Sequence, residues 1–385
     1  MDRPVWSFLL AAGGAGKRLG GVPKQFRMLG GVAVWKWSVN TAMSLRKRGL
    51  ISDIVIAAPS DMVAEISAET EKMGIKVTAG GKERSDSVLN GLAECCGSHV
   101  LVHDGARPFM TAELCERIMK AAESAGAAVP LLPSVDSLKK IQNGKMSAED
   151  RSLYFRTQTP QAFERGKLVS LLQRSGSAAD EATQWLAAGY GIADVAGSEK
   201  NFKITSRFDW EMACALAENM IERRTGHGYD IHQLRQGRDL VLAGVKVDCD
   251  GWGLLGHSDA DVVTHTLMDA MLGAAGEPDI GTLFPASDEE WHNADSIMLL
   301  HRVFDLLCEK GWHVEWADLT LIAQRPKLGH LIPKFIENLN RELGGSSDHP
   351  LFNMKVKSAE HCGSAGRGEC MICHGIATIT RIKDL

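Results

Sequence analysis

The sequence predicts an α/β protein made of two consecutive domains, the first built on a mostly parallel sheet. Its 385 residues exceed the usual size of one domain, which is about 100–200 residues. Apolar runs alternate with helical patterns through the first half. A new glycine-rich stretch, GHGYDIH at 226–232, then marks the start of a second half. We therefore expect one domain over residues 1–222, a short linker over 223–226 and a second domain over 227–385.

The pattern of the first half is typical of parallel strands connected by helices. Residues 6–12 are almost all apolar, as in a strand that is buried on both faces. Strands that alternate with helices place helices on both faces of the sheet, and ligands then bind at the carboxyl ends of the strands. The other predicted strands are 54–58, 75–78, 99–103 and 127–132, and the predicted helices are 61–73, 85–96 and 111–125.

Four polar loops follow these predicted strands, over 13–20, 80–87, 103–108 and 201–205. In the first loop, glycines allow backbone N–H groups to approach a phosphate, and Arg18 and Lys24 add positive charge. The loop has neither the Gly-Lys-Ser/Thr of a Walker motif nor a dinucleotide-binding fingerprint. An ordinary turn is therefore the alternative to a phosphate site at this point.

The second half contains a candidate metal site. Asp230 and His232 alternate along a strand-like segment, so their side chains lie on one face. A helix capped by Ser258 or Asp259 would carry His265, with Asp261 and Asp269 four residues to either side. Two imidazoles and a carboxylate suit Zn²⁺ with one position left for substrate, and Asp261 or Asp269 would orient His265. The alternative is a polar helix surface without a metal.

The composition excludes two classes of partner. The net charge is -5, so no basic field is available to bind nucleic acid or an anionic membrane. The apolar run near the N-terminus is shorter than the about 20 residues that cross a bilayer, and it continues into a glycine-rich loop. We expect a cytoplasmic protein whose nine cysteines are reduced thiols.

Six motifs of the first half carry a family resemblance. In order they are AAGGAGKRLG with PKQF, GGKERSDSVLNGL, VHDGARPF, RTQTPQAF, DEATQWL and NFKIT. Together they resemble 2-C-methyl-D-erythritol 4-phosphate cytidylyltransferases of the non-mevalonate isoprenoid pathway, over roughly residues 4–222. The resemblance implies a Rossmann-like nucleotidyltransferase domain with a β-arm over 137–156 that reaches into a partner subunit. It also implies transfer of CMP from CTP to 2-C-methyl-D-erythritol 4-phosphate, with release of pyrophosphate and with Mg²⁺ present.

The same resemblance assigns roles to particular residues. Arg18 and Lys24 would neutralise charge at the α-phosphate, because nucleotidyl transfer depends on positioning and charge stabilisation. Gly81 and Ser87 would hold the cytosine. Arg151 and Lys203 would orient the sugar phosphate, with Arg151 carried by the arm into the partner's site. The other matching substrate positions are Gly13, Gly16, Asp104, Ser137, Thr159 and Thr183. The first loop departs from the family pattern by one extra residue before Gly16 and one fewer between Arg18 and Pro23.

The motifs of the second half carry another resemblance. GHGYDIHQL, LLGHSDADVVTHTLMDAMLGAAG, EPDIGTLFP, DLTLIAQRPKL and AGRGE resemble 2-C-methyl-D-erythritol 2,4-cyclodiphosphate synthases from about Thr225 to Leu385. The resemblance implies a smaller α/β (α+β) domain that forms trimers with sites between subunits. It also implies closure of 4-diphosphocytidyl-2-C-methyl-D-erythritol 2-phosphate to a cyclic diphosphate, with release of CMP.

Residue roles in the second half follow from this second resemblance. Asp230, His232 and His265 would bind Zn²⁺ or a similar divalent ion, while His257 and Ser358 would steady the transition state. Glu360 would bind a second divalent ion, Mg²⁺, on the diphosphate. The positions that match substrate contacts are Ala323, Pro326, Lys327 and Leu328 for cytidine, Asp279 and Gly281 for the sugar, and Ser258, Asp288, Ser364 and Arg367. Departures from the family pattern stand at Ala286, Lys357, Ala359 and Ser364.

Two other functions stay open on the sequence alone. The first half could transfer a different nucleotide or act on a different sugar phosphate. The second half could be a trimeric assembly module without catalysis, although assembly alone needs no metal site. Dimer contacts in the first domain and trimer contacts in the second predict a homo-oligomer, up to a hexamer, that acts on small molecules.

Overall fold

The computed structural model describes residues 4–14, 23–174, 180–285, 287–291, 294–345 and 350–383. Within this part of the chain, backbone contacts divide the protein into two compact units, and the boundary lies between Met220 and Ile221. No helix of the described residues is both long enough and apolar enough to cross a membrane.

The first unit is organised around an eight-stranded, mostly parallel sheet. Its central strands run in the order β10-β7-β11-β6-β1-β4-β5, and β12 pairs with β7. The pairs β1–β4, β1–β6, β4–β5 and β7–β12 are parallel, whereas β11 and β10 run antiparallel to their partners. The strands of this unit are β1 Trp6–Ala11, β2 Met28–Leu29, β3 Val32–Ala33, β4 Asp53–Ala58, β5 Lys76–Ala79, β6 His99–Asp104, β7 Ala127–Pro133, β8 Lys139–Gln142, β9 Lys145–Ala148, β10 Phe155–Thr157, β11 Gln161–Glu164 and β12 Ala193–Ala196.

Helices cover both faces of this sheet, as the continuous apolar character of β1 predicts. Phe8 and Leu10 belong to one hydrophobic core, and Leu9 between them belongs to a second core on the opposite face. The helices are α1 Val34–Lys47, α2 Val63–Thr70, α3 Arg84–Glu94, α4 Ala112–Ala125, α5 Arg165–Arg174, α6 Glu181–Ala187 and α7 Arg207–Met220. Short 3₁₀ turns lie at Lys24–Phe26, Glu71–Met73 and Arg151–Leu153.

A two-stranded hairpin, β8 paired with β9, lies within the segment expected to form an arm. Every residue of these two strands is exposed, including Ile141 and Met146. Leu153 and Phe155, which follow the hairpin, are also exposed. An exposed apolar segment of this kind marks an interaction surface rather than a core.

The second unit contains a five-stranded sheet in the order β16-β13-β19-β17-β18. Helix α8 packs against β13 and β19, and its apolar residues join the core of this unit. The strands are β13 Ile221–Gln236, β14 Leu240–Leu242, β15 Val245–Val247, β16 Trp252–Leu255, β17 His313–Ile322, β18 Phe352–Lys357 and β19 Cys370–Ile382, and the helices are α8 Val262–Ala275, α9 Ile280–Leu283, α10 Ser296–Glu309, α11 Ile332–Glu342 and α12 Gly363–Gly366.

The prediction of a linker at 223–226 is wrong, because these residues lie inside strand β13. The strand pairs with β19 without interruption from Ile221 to Gln233. The charged side chains at 222–224 form ion pairs on the sheet. Glu222 accepts hydrogen bonds from Arg224 and Arg381, each at 2.8 Å, and Arg223 donates to Glu315 at 2.7 Å.

Candidate active sites

In the first unit, the glycine-rich loop and the start of α3 meet around one hydroxyl group. Ser87 Oγ accepts a hydrogen bond from the Gly81 amide at 3.0 Å and donates to the Glu83 carbonyl at 3.1 Å. A Cβ atom placed on Gly13 would lie 3.0 Å from this oxygen, so a side chain there would crowd it. The predicted residues Gly13, Gly81 and Ser87 are therefore brought together.

A second contact joins this loop to the segment 201–205. Gln25 donates to the carbonyl oxygens of Ala12 and Gly14 at 2.7 and 2.6 Å. The neighbouring Lys24 ammonium donates to the Ile204 carbonyl at 2.6 Å. Lys24 is thus held beside the loop that carries Lys203. The predicted residues Gly16 and Arg18 lie outside the described part of the chain.

The carboxylate of Asp104, at the end of β6, is the centre of a cluster of cations. It accepts hydrogen bonds from Arg84 Nε at 2.9 Å and from Lys203 Nζ at 2.8 Å, and Arg107 Nε lies 3.8 Å away. Burial alone would raise the pKa of this carboxyl, but Arg84 first, then Lys203 and Arg107, hold the pKa well below its usual range. Asp104 is therefore ionised, and the cations around it can also attract phosphate.

Thr159 ties this cluster to the neighbouring strand. Its hydroxyl oxygen accepts from the Asp104 amide at 3.0 Å and lies 3.1 Å from His103 Nδ1. His103 Nε2 lies 2.9 Å from the Arg107 carbonyl, which can only accept, so Nε2 carries a proton. Burial lowers the pKa of His103 to about 4, in agreement with a neutral ring. Arg107 belongs to the polar loop 103–108 that the sequence predicts, but the sequence alone assigns it no role in a site.

In the second unit, the three predicted metal ligands converge. Asp230 Oδ2 lies 2.9 Å from His232 Nε2 and 3.2 Å from His265 Nδ1, and the two imidazole nitrogens are 3.3 Å apart. One ligand atom from each residue lies within 4.8 Å of the others. Among the described residues, this is the group of three or more His, Cys, Asp or Glu side chains that could hold a metal ion. Burial opposes ionisation of Asp230, but the imidazole rings of His232 and His265 beside it hold its pKa below the usual range.

The outer hydrogen bonds of both imidazoles aim a lone pair at the centre of this group. His232 Nδ1 lies 2.8 Å from the Leu255 carbonyl, so Nδ1 donates and Nε2 is the nitrogen that would bind a metal ion. His265 Nε2 lies 3.0 Å from Ser296 Oγ and 3.2 Å from Ser258 Oγ. Ser296 in turn donates to Asp259. The donor set therefore fits a divalent metal ion such as Zn²⁺.

The predicted role of Asp261 or Asp269 in orienting His265 is wrong. Asp261 is the N-cap of α8, where it accepts from the amides of Val263 and Thr264, each at 3.1 Å, so Ser258 and Asp259 do not cap this helix. Asp269 accepts from the Ile280 amide at 3.0 Å and thereby ties α9 to α8. Backbone amides at the start of a helix have no acceptor within the helix, so they bind a nearby carboxylate such as that of Asp261. Both carboxylates are thus used by backbone amides and not by the imidazole of His265.

The two glycines of GHG explain why α8 reaches the sheet here. A Cβ atom on Gly228 would overlap the Thr266 carbonyl, and one on Gly226 would overlap the Ala270 carbonyl. Only strand positions without a side chain let the helix backbone come this close. The close approach places His265 opposite Asp230 and His232.

Comparisons with known proteins assign each half of the chain to a family. A family model described as 2-C-methyl-D-erythritol 4-phosphate cytidylyltransferase matches residues 6–221, and a model of the YgbB family matches residues 223–380. The bifunctional enzyme IspD/IspF of Anaeromyxobacter dehalogenans is 40% identical over 384 residues, which cover 97% of each chain. That of Anaeromyxobacter sp. (strain Fw109-5) is 38% identical over 388 residues, 97% of this chain and 98% of the relative.

The chain belongs to the bifunctional IspD/IspF family. Its first domain is a cytidylyltransferase of isoprenoid biosynthesis and its second a cyclodiphosphate synthase, so the chain is an enzyme with a transferase and a lyase activity. The solved bifunctional IspDF of Campylobacter jejuni is 28% identical, with a TM-score of 0.47, and the match covers 98% of this chain and 99% of that one.

Three predicted residues of the cytidylyltransferase domain lie apart from the Asp104 cluster. Ser137 and Arg151 are exposed residues of the arm segment, and Arg151 donates to the Val135 carbonyl at 2.5 Å. Thr183, in the first turn of α6, is exposed and donates to Asp180 at 2.7 Å. The structure of a single chain brings none of these three into contact with Asp104 among the described residues.

In the synthase domain, the loop after β17 and the loop after β18 lie side by side. The Ala323 amide donates to the Lys357 carbonyl at 3.0 Å, and Ser358 donates to Gln324 at 3.3 Å. Ser358 also accepts from the Glu360 amide at 2.9 Å, and Glu360 adopts a left-handed backbone with φ of 48°. Ala323 and Leu328 are buried, while Lys327, Ser358 and Glu360 are exposed. The predicted cytidine residue Ala323 therefore lies next to the segment that carries the predicted phosphate residue Ser358.

The remaining predicted positions of the synthase domain are spread over its loops. Asp279 caps α9 by accepting from Thr282 at 2.9 Å, with Gly281 exposed beside it, and Asp288 accepts from the Glu290 amide at 3.1 Å. Arg367 pairs with Glu369 at 2.8 Å. Ser364 Oγ lies 3.2 Å from the Cys370 sulfur, and His257 is exposed beside Ser258. Ala286, one of the departures, lies outside the described residues.

Proposed function

We propose that the first domain transfers CMP from CTP to 2-C-methyl-D-erythritol 4-phosphate. A phosphate oxygen of the sugar attacks the α-phosphorus of CTP, the bond from this phosphorus to the β-phosphate oxygen breaks, and pyrophosphate leaves with its Mg²⁺. Gly81 and Ser87 would hold the cytosine, and Arg18 and Lys24 would offset the charge that builds up on the α-phosphate. The contacts that fix Lys24 beside the 201–205 loop support this role.

The cationic cluster of this domain would receive the second substrate. Asp104 is a hydrogen-bond acceptor suited to sugar hydroxyls, and Lys203 is a cation suited to the phosphate. Arg151 of the partner's arm would add a second cation. The exposed apolar residues of the arm support such a role, because an isolated chain leaves them in water.

We propose that the second domain closes 4-diphosphocytidyl-2-C-methyl-D-erythritol 2-phosphate to 2-C-methyl-D-erythritol 2,4-cyclodiphosphate. The 2-phosphate oxygen attacks the β-phosphorus, and CMP leaves. A Zn²⁺ or similar ion on Asp230, His232 and His265 would supply Lewis-acid polarisation of the phosphate oxygens. His257 and Ser358 would steady the transition state, Glu360 would hold a Mg²⁺ on the diphosphate, and residues 323 and 326–328 would enclose the cytosine.

Strand register supports a synthase site shared between subunits. Ile322 of β17 pairs with Lys357 and Ile372, and Ile372 pairs with Ile231 next to the metal ligands. Three strand spacings of about 4.8 Å separate β13 from β18, which is roughly 14 Å. A trimer would place the cytidine loop of one copy beside the metal ligands of the next. Together with arm-mediated dimers this gives a hexamer, and light scattering that shows a stable monomer would contradict it.

One observation carries the bifunctional proposal: two separate clusters in one chain, one of cations around Asp104 and one of ligands around Asp230. The experiment supplies each substrate separately to the intact protein and identifies the products. We expect pyrophosphate from CTP with 2-C-methyl-D-erythritol 4-phosphate, less from UTP or ribitol phosphate, and CMP from the cyclisation substrate. Failure of either product to form would contradict the proposal for that domain.

A further inference from the structure

A buried glutamate stands behind the Asp104 cluster without a role in the proposed reaction. Glu181, the first residue of α6, is 1% exposed. An ionised carboxylate is costly to bury unless it is paired. Its partner is Arg84, whose Nη1 donates to Glu181 Oε1 at 2.6 Å and to Oε2 at 2.8 Å.

Arg84 connects this glutamate to Asp104. Its Nε donates to Asp104 Oδ1 at 2.9 Å, while Lys203 occupies the other oxygen, Oδ2. The planar guanidinium can bind both carboxylates at once in a fixed geometry, which a lysine ammonium cannot do. The two carboxylates raise the pKa of Arg84 above its ordinary value although burial opposes this, so the bridge stays charged.

We propose that Glu181 and Arg84 are positioning residues, which fix the orientation of the Asp104 carboxylate and through it the Lys203 ammonium. The inference rests on the proposed function of Asp104 and Lys203 as the sugar-phosphate site. Neither Glu181 nor Arg84 needs to touch the substrate for this role. Glu181 prevents Arg84 from swinging fully onto Asp104, so that the carboxylate keeps one oxygen for Lys203.

The effect is expected on one substrate more than on the other. Arg84 begins α3, whose fourth residue is Ser87 in the cytosine site. A capping box between Glu83 and Asp86 holds this first turn independently of the Arg84 side chain. Changes at Glu181 or Arg84 therefore act on the Asp104 side, whereas the CTP side keeps its geometry.

The test compares Glu181→Gln and Arg84→Lys with the parent protein in steady-state kinetics of the cytidylyltransferase reaction. We expect the KM for methylerythritol phosphate to rise at least tenfold in both variants, and the KM for CTP to stay within twofold. Because the two residues act through one contact, the double variant should be no worse than the worse single variant. Glu211→Gln is the matched control, since Glu211 forms an exposed ion pair with Arg207 in the same domain.

Two results would overturn the inference. One is a KM for the sugar phosphate within twofold of the parent in both variants. The other is an equal rise in both KM values together with a lower unfolding temperature, which a purely structural ion pair would produce. An unmodified protein that fails to transfer CMP would instead refute the proposed function itself, so the two failures are distinguishable.

Discussion

Two neighbouring residues at the end of β6 show how burial acts in opposite ways on an acid and a base. His103 is buried and gives up its charge, because its neutral ring is satisfied by Arg107 and Thr159. Asp104 keeps its charge, because three cations compensate for its burial. The cleft therefore carries fixed charge where a phosphorylated sugar would bind, next to a ring that stays neutral at physiological pH.

His103 should make stability depend on pH. Its pKa is about 4 in the folded chain and 6.5 ordinarily, so between these values the unfolded chain binds more protons. Stability should fall as the pH drops from 6.5 towards 4, by about 3 kcal/mol in total, at about 1.4 kcal/mol per pKa unit. Urea unfolding of the full chain at pH 7 and pH 4.5 measures this. His103→Gln keeps the hydrogen-bonding groups without the titration, and its stability should fall less; an equal fall would count against the assignment.

At the residue scale, the sequence predicted the ligands of the candidate metal site better than the residues that form hydrogen bonds with those ligands. Asp230, His232 and His265 follow from strand and helix periodicity. Ser296 lies 31 residues beyond His265, and no local spacing connects the two. A hydrogen bond of this kind depends on tertiary packing, which the periodicity of the sequence does not encode.

At the scale of elements, the site of the synthase domain depends on how closely α8 approaches β13. Gly226 and Gly228 lie on the face of the strand that meets the helix, and the alternating residues His227 and Tyr229 point to the other face. The glycines that mark the start of the second half in the sequence are part of a strand–helix interface. The sequence shows that glycines stand at these positions. Only the packing of α8 against the strand explains why a larger residue would not fit there.

Gly228→Ala should therefore separate the metal ligands. The added methyl group overlaps the Thr266 carbonyl, so α8 must shift and carry His265 away from Asp230. We expect a loss of about 3 kcal/mol in unfolding free energy and a loss of bound zinc and of synthase activity. Zinc analysis and a melting curve measure both.

Gly273→Ala is the control for this change, because its added carbon would lie 3.9 Å from the nearest atom, the His227 carbonyl oxygen. It should leave zinc binding intact and stabilise α8 by up to about 1 kcal/mol. Unchanged zinc content in Gly228→Ala would show that the close approach is dispensable.

The fold of the first domain was largely predictable at this scale. The apolar runs predict β1, β4, β6 and β7 to within about one residue, because strands buried on both faces have no polar alternation to obscure them. The domain boundary was harder. Residues 222–224 are all charged, and their role in a strand becomes visible only through partners such as Glu315 and Arg381, which are far away in the sequence.

At the scale of the whole molecule, the chain contains two units with separate hydrophobic cores and separate chemistry. The first has a cluster of cations around Asp104, and the second has a group of two imidazoles and a carboxylate. The substrate proposed for the second domain carries a 2-phosphate that the product proposed for the first domain lacks, so the product of one domain is not the substrate of the other. The two activities should therefore be separable by mutation.

The most direct measurement follows pyrophosphate release and CMP release in two variants of the intact chain. Lys24→Ala should reduce the cytidylyltransferase rate at least a hundredfold and leave the synthase rate within twofold, because we propose a role for Lys24 in the first domain only. His265→Ala should do the reverse and lose bound zinc, while His301→Ala, a change at an exposed ion pair with Glu342, should alter neither rate. If either Lys24→Ala or His265→Ala lowered both rates together, or neither, two independent phosphate-transfer sites in one chain would be contradicted.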